Sequence, residues 1–167
     1  IKNFDPKMIK TELNILKKVG AKIKLFKNSV HIKGPEKIKS IKNITTKEYD
    51  GFPTDLAPQF MVLLCKANGT SSITENIFQG RFLHAMELQR LGAKISIKNR
   101  TAKIEGNTNF IAAEVMSSDL RASAALVLAG IVSKGNTIVT RVYHCDRGYE
   151  NFENKLKKIG VKIKRLK

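Results

Sequence analysis

Tryptophan is absent, and only three tyrosines and eight phenylalanines stand among the 167 residues. That leaves no interleaved aromatic platform of the kind on which unstacked bases are read, so specific nucleic-acid recognition is disfavoured. Cysteine occurs twice, at Cys65 and Cys145, without C-x-x-C spacing. The pair gives no metal site, and such sparse thiols suit a reducing compartment. No apolar run approaches the roughly 20 residues that a membrane-spanning helix needs, and no signal-peptide pattern opens the chain. It therefore reads as soluble and cytoplasmic, with no membrane partner. A Gly-rich phosphate loop, a nucleophilic serine elbow and a zinc pattern are also missing. The chain begins at Ile1 rather than Met, which reads as a piece of a longer protein.

Acidic residues are scarce as well: 14 stand against 31 Lys and Arg, a net charge of +17. Such an excess invites a polyanion-binding reading. Only seven of the basic residues are Arg, however, and Lys, Ile and Asn are all abundant, as an A/T-rich coding bias would produce. Solvated Lys on exposed faces is the plainer account. A basic RNA-binding module is the alternative from another class, and it would bind RNA tightly with an affinity that falls steeply with salt.

What the chain does have is an apolar stretch around which the rest is arranged, DLRASAALVLAG, Asp119 to Gly130. Asp119 has the chemistry of an N-cap, because its carboxylate can accept free N–H groups of the first turn. From Ala124 to Val132 no polar face appears, so this helix is expected to be buried on every side. Its N-terminal end, with Asp119 and Arg121, lies where orphan N–H groups favour anions.

The chain also repeats itself. An amphipathic helix over about Pro6 to Val19 is followed by Gly20, then by two strands with alternating apolar residues (Ile23, Leu25; Val30, Ile32) and a closing Gly34. LQRLGAKISIKNRTAKIEG, from Leu88 to Gly106, writes the same pattern again, and KLKKIGVKIKRLK, from Lys155, begins it a third time without a return strand. The apolar helix after Asp119 has its own counterpart after Asp55. Each is followed by a Gly turn (Gly69, Gly135), a Thr/Ile/Val-rich strand, an arginine-bearing loop (Arg81, Arg147) and an amphipathic helix. The unit is helix–strand–helix–strand–strand on a period of about 65–70 residues, which signals a repeat architecture. Pro35 to Tyr49, Lys-rich with Ile38, Ile41 and Ile44, reads as the softest joint. Apolar helices inside and Lys-bearing sheets outside follow from the pattern, an α/β arrangement. The third hairpin is expected to be completed by other chain, since an unpaired strand is a liability.

The repeat sets charged residues at equivalent corners. Taken singly, Asp55 and Asp119 are N-caps, and Arg81 and Arg147 are loop ion-pair partners, Arg147 with Asp146 or Glu150. His84 and His144 read as structural, and Cys65 as a small core residue. Gathered on one rim, Arg81, Arg121 and Arg147 with Asp55 and Asp119 would suit a small doubly anionic ligand. Arginine holds carboxylate and phosphate through paired, charge-assisted hydrogen bonds, and a nearby Asp can act as a base toward a hydroxyl.

Four ordered segments carry a resemblance: GFPTDLAPQF (51–60), ITENIFQGRFLHAMELQRLGA (73–93), SSDLRASAALVLAG (117–130) and YHCDRGYENFENKLKKIGVKI (143–163). Over essentially the whole chain they closely resemble the C-terminal part of the UDP-N-acetylglucosamine 1-carboxyvinyltransferases, the enolpyruvyl transferases that open bacterial peptidoglycan synthesis. The resemblance implies an inside-out α/β barrel, with this chain as most of one globular domain. Its pseudo-repeats would run about 1–50, 51–115 and 116–167, the last one incomplete. It implies phosphoenolpyruvate and UDP-N-acetylglucosamine as substrates, no metal or organic cofactor, and the missing N-terminal domain as a partner in cis or trans. Asp55 would deprotonate the sugar 3-hydroxyl, Ile77 would bind the UDP-sugar through its backbone, and Arg121 and Arg147 would hold phosphoenolpyruvate. Arg81 would line the same cleft and Asp119 would order the cluster. The family's Lys-Asn pair and the mobile loop with its catalytic Cys have no counterpart in these residues, so the chain alone is expected not to turn over. The sister transferase of the shikimate pathway is the nearest rival.

Overall fold

The structure is a computed structural model that describes residues 1–166. A short 3-10 turn over Pro6–Ile9 leads into α1 (Lys10–Lys18), so the first helix is α-helical only from its second turn. The Asp5 carboxylate accepts the Lys7 N–H at the start of that turn. Strands β1 (Lys22–Phe26) and β2 (Ser29–Lys33) then form an antiparallel hairpin.

The middle of the chain is a four-stranded sheet. β3 (Ile44–Thr45) and β4 (Thr70–Thr74) run parallel, joined by α2 (Ala57–Cys65). Two parallel strands cannot be joined by a tight turn, so the helix is the crossover their geometry requires. After α3 (Leu83–Arg90) the hairpin of β5 (Lys94–Lys98) and β6 (Thr101–Glu105) completes the order β3-β4-β6-β5. The same parallel strand–helix–strand unit recurs as β7 (Glu114–Met116), α4 (Leu120–Ile131) and β8 (Ile138–Thr140). Helices α5 (Tyr143–Asp146) and α6 (Phe152–Lys158) follow.

Helices α2 and α4 pack against each other, and α3 and α5 also contact α4. The core collects Met61 and Leu64 from α2, Ala85 and Leu88 from α3, and Ala125, Leu126 and Ala129 from α4. The sheet adds Ile73, Ala102 and Ile104, whose inward positions follow the two-residue period of their strands. Buried polar groups inside this core are mostly paired. Ser123 donates to the Asp119 carbonyl and meets the Ser117 hydroxyl, so neither buried hydroxyl is orphaned. Gly106 lies so close to the Ala67 carbonyl that any Cβ there would overlap it.

Several expectations change. α4 is not covered on every side: Leu128, Ile131 and Val132 are 36–46% exposed, and Ile131 with Ile138 lines a cavity of about 900 Å³ beside β8. The third Lys-rich copy forms no strand over 161–166, because a strand exists only against a partner; Lys167 lies outside the described residues. Pro35 to Tyr49 is not a loose joint. Lys39 bridges Asn68, the Ile41 N–H donates to the Ser71 hydroxyl, and Ile44 is core. Towards the turn of each hairpin one strand stays open: Leu25 and Ile97 are about half exposed, although their partners across the ladder, Val30 and Ala102, are buried. Met86, on the amphipathic helix after Arg81, and Ile159, at the end of the one after Arg147, point to solvent. Strand β7 has no sequence signal, since Glu-Val-Met is too short for a visible alternation.

The burial pattern predicts a contrast along α4. Leu126→Ala leaves a cavity in a fully buried position and is expected to cost about 2–5 kcal/mol in urea unfolding. Leu128→Ala, on the open face, is expected to cost no more than about 1 kcal/mol.

Candidate active site

The starts of α2 and α4 lie side by side, and the charged corners gather there. Asp55 sits in the 3-10 turn Thr54–Leu56 that leads into α2. It is not an N-cap: the cap position belongs to Leu56, and no side chain caps that helix. The turn shifts the Asp55 carboxylate off the helix end and into solvent, where it is 73% exposed. There it receives Arg81 Nη1 at 3.3 Å and has Arg121 Nη1 at 3.8 Å.

Asp119 behaves as the sequence implies. Its Oδ1 accepts the backbone N–H groups of Arg121 at 2.9 Å and Ala122 at 3.2 Å, capping α4. The same oxygen accepts Arg121 Nε at 3.0 Å, and Oδ2 accepts the Ser118 hydroxyl. Burial alone would raise its carboxyl pKa. The Ala122 N–H and the Arg121 charge outweigh that and hold it below the ordinary carboxylate range. Arg121 is therefore fixed at its root by Asp119 while its tip reaches Asp55. Arg81 is fixed from two sides, by Asp55 and by the Phe78 ring, whose centroid lies 3.6 Å from the guanidinium carbon. Surface ion pairs of this kind are worth about 0–1 kcal/mol each, so they hold geometry more than they stabilise the fold.

Arg147 stands at the C-terminal end of α5, exposed. The neighbouring Gly148 abuts Leu120 at the start of α4, and Tyr149 accepts a hydrogen bond from Gln59 of α2. The turn that carries Arg147 is thereby seated on the same pair of helix starts. Arg147 does not pair with its expected partners. Asp146 is held by Arg165 at 2.6 and 2.8 Å, and Glu150 pairs with Lys155. Ile77 lies in the β4–α3 loop, where its N–H donates to the Glu75 carboxylate.

One residue near the rim escapes a reading of the sequence. Glu75 is a buried carboxylate that gathers donors from three segments, as described below. The signal for its burial is an ionisable residue directly after a strand whose neighbours turn inward. His84, on α3, is 4% exposed, and its Nε2 has no hydrogen-bond partner. Burial drives its pKa down to about 4, while the charges of Asp119 and Arg121 act on it in opposite directions. The imidazole is neutral across physiological pH. Cys65 and Cys145 are free thiols, buried, with pKa values pushed up to about 12 and 11, chiefly by desolvation. Neither is an activated nucleophile.

The guanidinium groups of Arg81 and Arg121 flank the exposed Asp55 carboxylate beside two helix starts, where orphan N–H groups favour anions. The family model described as EPSP synthase (3-phosphoshikimate 1-carboxyvinyltransferase) matches residues 1–156. The chain belongs to that family.

Within the family, one relative is 60% identical over 166 residues, the UDP-N-acetylglucosamine 1-carboxyvinyltransferase of Pelagibacter ubique. A protein of the same description from Helicobacter pylori is 47% identical over 167 residues. The match covers 99% of this chain and 40% of the former, and 100% of this chain and 39% of the latter, so the chain spans about 40% of the length of these relatives. Among solved structures, the enolpyruvyl transferase NikO from Streptomyces tendae superposes with a TM-score of 0.86 at 25% identity. It covers 93% of this chain and 36% of that one. An EPSP synthase from Acinetobacter baumannii shares the fold, with a TM-score of 0.72 at 16% identity over 93% of this chain and 36% of its own. The enolpyruvyl transferase fold expected from the sequence is thus present, as mixed helix and sheet with the sheets open rather than closed into a barrel. Among the described residues no helix is long and apolar enough to cross a membrane.

The two titrations predict separate acid transitions. His84 has a folded-state pKa of about 4, below its ordinary 6.5. The unfolded chain therefore takes the proton first, and stability falls as pH drops from 6.5 toward 4. Asp119, with its lowered value, keeps its contribution above the ordinary carboxyl range and loses it only as pH falls further. Urea midpoints against pH should lose the first slope in His84→Gln and show a shallower second slope in Asp119→Asn, the remainder belonging to other lowered carboxyls such as Glu75.

Proposed function

We propose that the chain forms part of an enolpyruvyl transferase active site, and that the acceptor is the 3-hydroxyl of UDP-N-acetylglucosamine. The observation that carries this reading is Asp55, an exposed carboxylate bracketed by Arg81 and Arg121 at paired helix starts. The 60% identity to the Pelagibacter ubique protein favours the sugar nucleotide over a shikimate acceptor. On this reading the enzyme belongs to peptidoglycan synthesis in a bacterial cytoplasm.

Asp55 takes the proton of the acceptor hydroxyl. The oxygen adds to C2 of phosphoenolpyruvate while C3 gains a proton from a general acid outside these residues, giving a tetrahedral intermediate. Loss of a C3 proton and departure of phosphate restore the double bond. Arg121 and Arg147 hold the carboxylate and phosphate as charge redistributes, and Arg81 lines the cleft. Asp119 orders Arg121. Ile77 meets the sugar nucleotide through its backbone. The reaction calls for no metal or organic cofactor. The same reading divides the chain into pseudo-repeats of about 1–50, 51–115 and 116–167, with the last completed by the N-terminal domain that would also close the cleft. The recurring β3-α2-β4 and β7-α4-β8 units support the division.

The test is phosphate release from phosphoenolpyruvate. The chain is joined to the rest of the Pelagibacter ubique relative, in place of its matching segment. Release is expected with UDP-N-acetylglucosamine and not with shikimate 3-phosphate. Asp55→Ala and Arg147→Ala should each lower it by roughly a hundredfold or more, and the 167-residue chain alone should release none. Turnover undiminished by either substitution would overturn the roles given to them.

A further inference from the structure

Glu75 directly follows β4, is 2% exposed, and has no part in the chemistry above. A bare carboxylate does not stay buried unless its lone pairs are filled. Here they are filled from three separate segments. Oε1 accepts the Thr46 hydroxyl at 2.8 Å and the N–H groups of Ile77 at 2.7 Å and Phe78 at 3.0 Å. Oε2 accepts the Thr54 hydroxyl at 2.6 Å. Thr46, itself fully buried, accepts the Asn76 N–H at 2.8 Å and so tightens the same loop. Burial would raise the Glu75 pKa, yet the hydroxyl of Thr54 and the N–H of Phe78 lead the donors that bring it below the ordinary range.

These contacts close a ring. Thr54 adjoins Asp55, Asp55 pairs with Arg81, Arg81 lies on Phe78, and Phe78 returns to Glu75. Of the five, Glu75 alone is wholly inside. The site has one rigid post behind it, and both working loops hang from that post.

We propose that Glu75 is a positioning residue. Its buried carboxylate ties the Thr54–Asp55 turn to the Ile77–Arg81 loop, so that the base and the sugar-nucleotide contact are set by a single group. This rests on the function proposed above for Asp55 and Ile77. Charge-assisted bonds are the strong kind, and one carboxylate can satisfy all four donors at once. Glutamine keeps the shape but loses the charge: with its oxygen on the loop N–H groups its NH2 can only donate to the Thr54 hydroxyl, so every bond of the set becomes neutral and weaker.

Two measurements test it. Amide hydrogen exchange in the 167-residue chain is independent of any activity. Glu75→Gln should speed exchange at Ile77 and Phe78 by about tenfold and leave Ala125 and Leu126 in α4 unchanged. Unaltered exchange at both loop amides, or equal acceleration everywhere, would overturn the proposal. The second measurement is kinetic, in the chain completed by the Pelagibacter ubique segment. Thr54→Val should lower kcat by about tenfold with KM for UDP-N-acetylglucosamine within about twofold, and Thr54→Ser should restore kcat. An unchanged kcat in Thr54→Val would overturn the coupling to Asp55. If the completed protein with native residues releases no phosphate, it is the functional reading that fails, and the exchange result still decides the role of Glu75.

Discussion

The approach of α2 to α4 is the constraint on which the site depends. α4 carries Ala122, Ala125 and Ala129, all buried, at spacings that share one helix face. Interaxial distance depends on the size of the side chains at the contact, so alanine permits a close approach. Close helices with adjacent starts bring Asp55 to Arg121 without any direct link between the two segments. They also place two positive helix ends at one spot, which favours an anionic ligand before any guanidinium is counted. A larger residue on that face would separate the rim residues while leaving each local motif intact.

Periodicity made much of this legible beforehand. The two hairpins, the capped α4 and the strand after each apolar helix all follow from alternation, Gly turns and an N-capping Asp. Those signals are local, and local signals persist in the fold. The features that did not show are set by distant chain. Asp55 has the composition of a cap, but the Pro53-led 3-10 turn displaces it. The open side of α4 is invisible because an apolar run records what a residue tolerates, not which neighbours are present. β3 is stretched along β4 by pairing rather than by propensity, so the Lys-rich segment before it looked slack. Glu75 carries no sequence signal for its role, because two of its four donors, Thr46 and Thr54, lie far from it in sequence. Spacing does not say which corners would share a ligand; that expectation rests on the resemblance to a transferase family.

The charge distribution divides into two parts with different physics. Most Lys side chains are exposed and independent, on strand faces such as Lys22, Lys24, Lys94 and Lys98. Their field is long-ranged but screened within about 8 Å at physiological salt. The rim arginines are few, held by Asp55, Asp119 and Phe78, and act over a single bond length. A substrate anion would be drawn in by the first group and oriented by the second.

The uncovered side of α4 has a consequence for the colloidal behaviour of the chain. Leu128, Ile131, Val132 and Ile138 form an apolar strip on a molecule of charge +17. Like-charge repulsion keeps such strips on two molecules apart at low ionic strength, whereas the pull between apolar surfaces is not screened by salt. Salting a solution of this chain removes the barrier and leaves the attraction, so its tendency to self-associate rises with ionic strength, opposite to the behaviour of a protein held together by ion pairs.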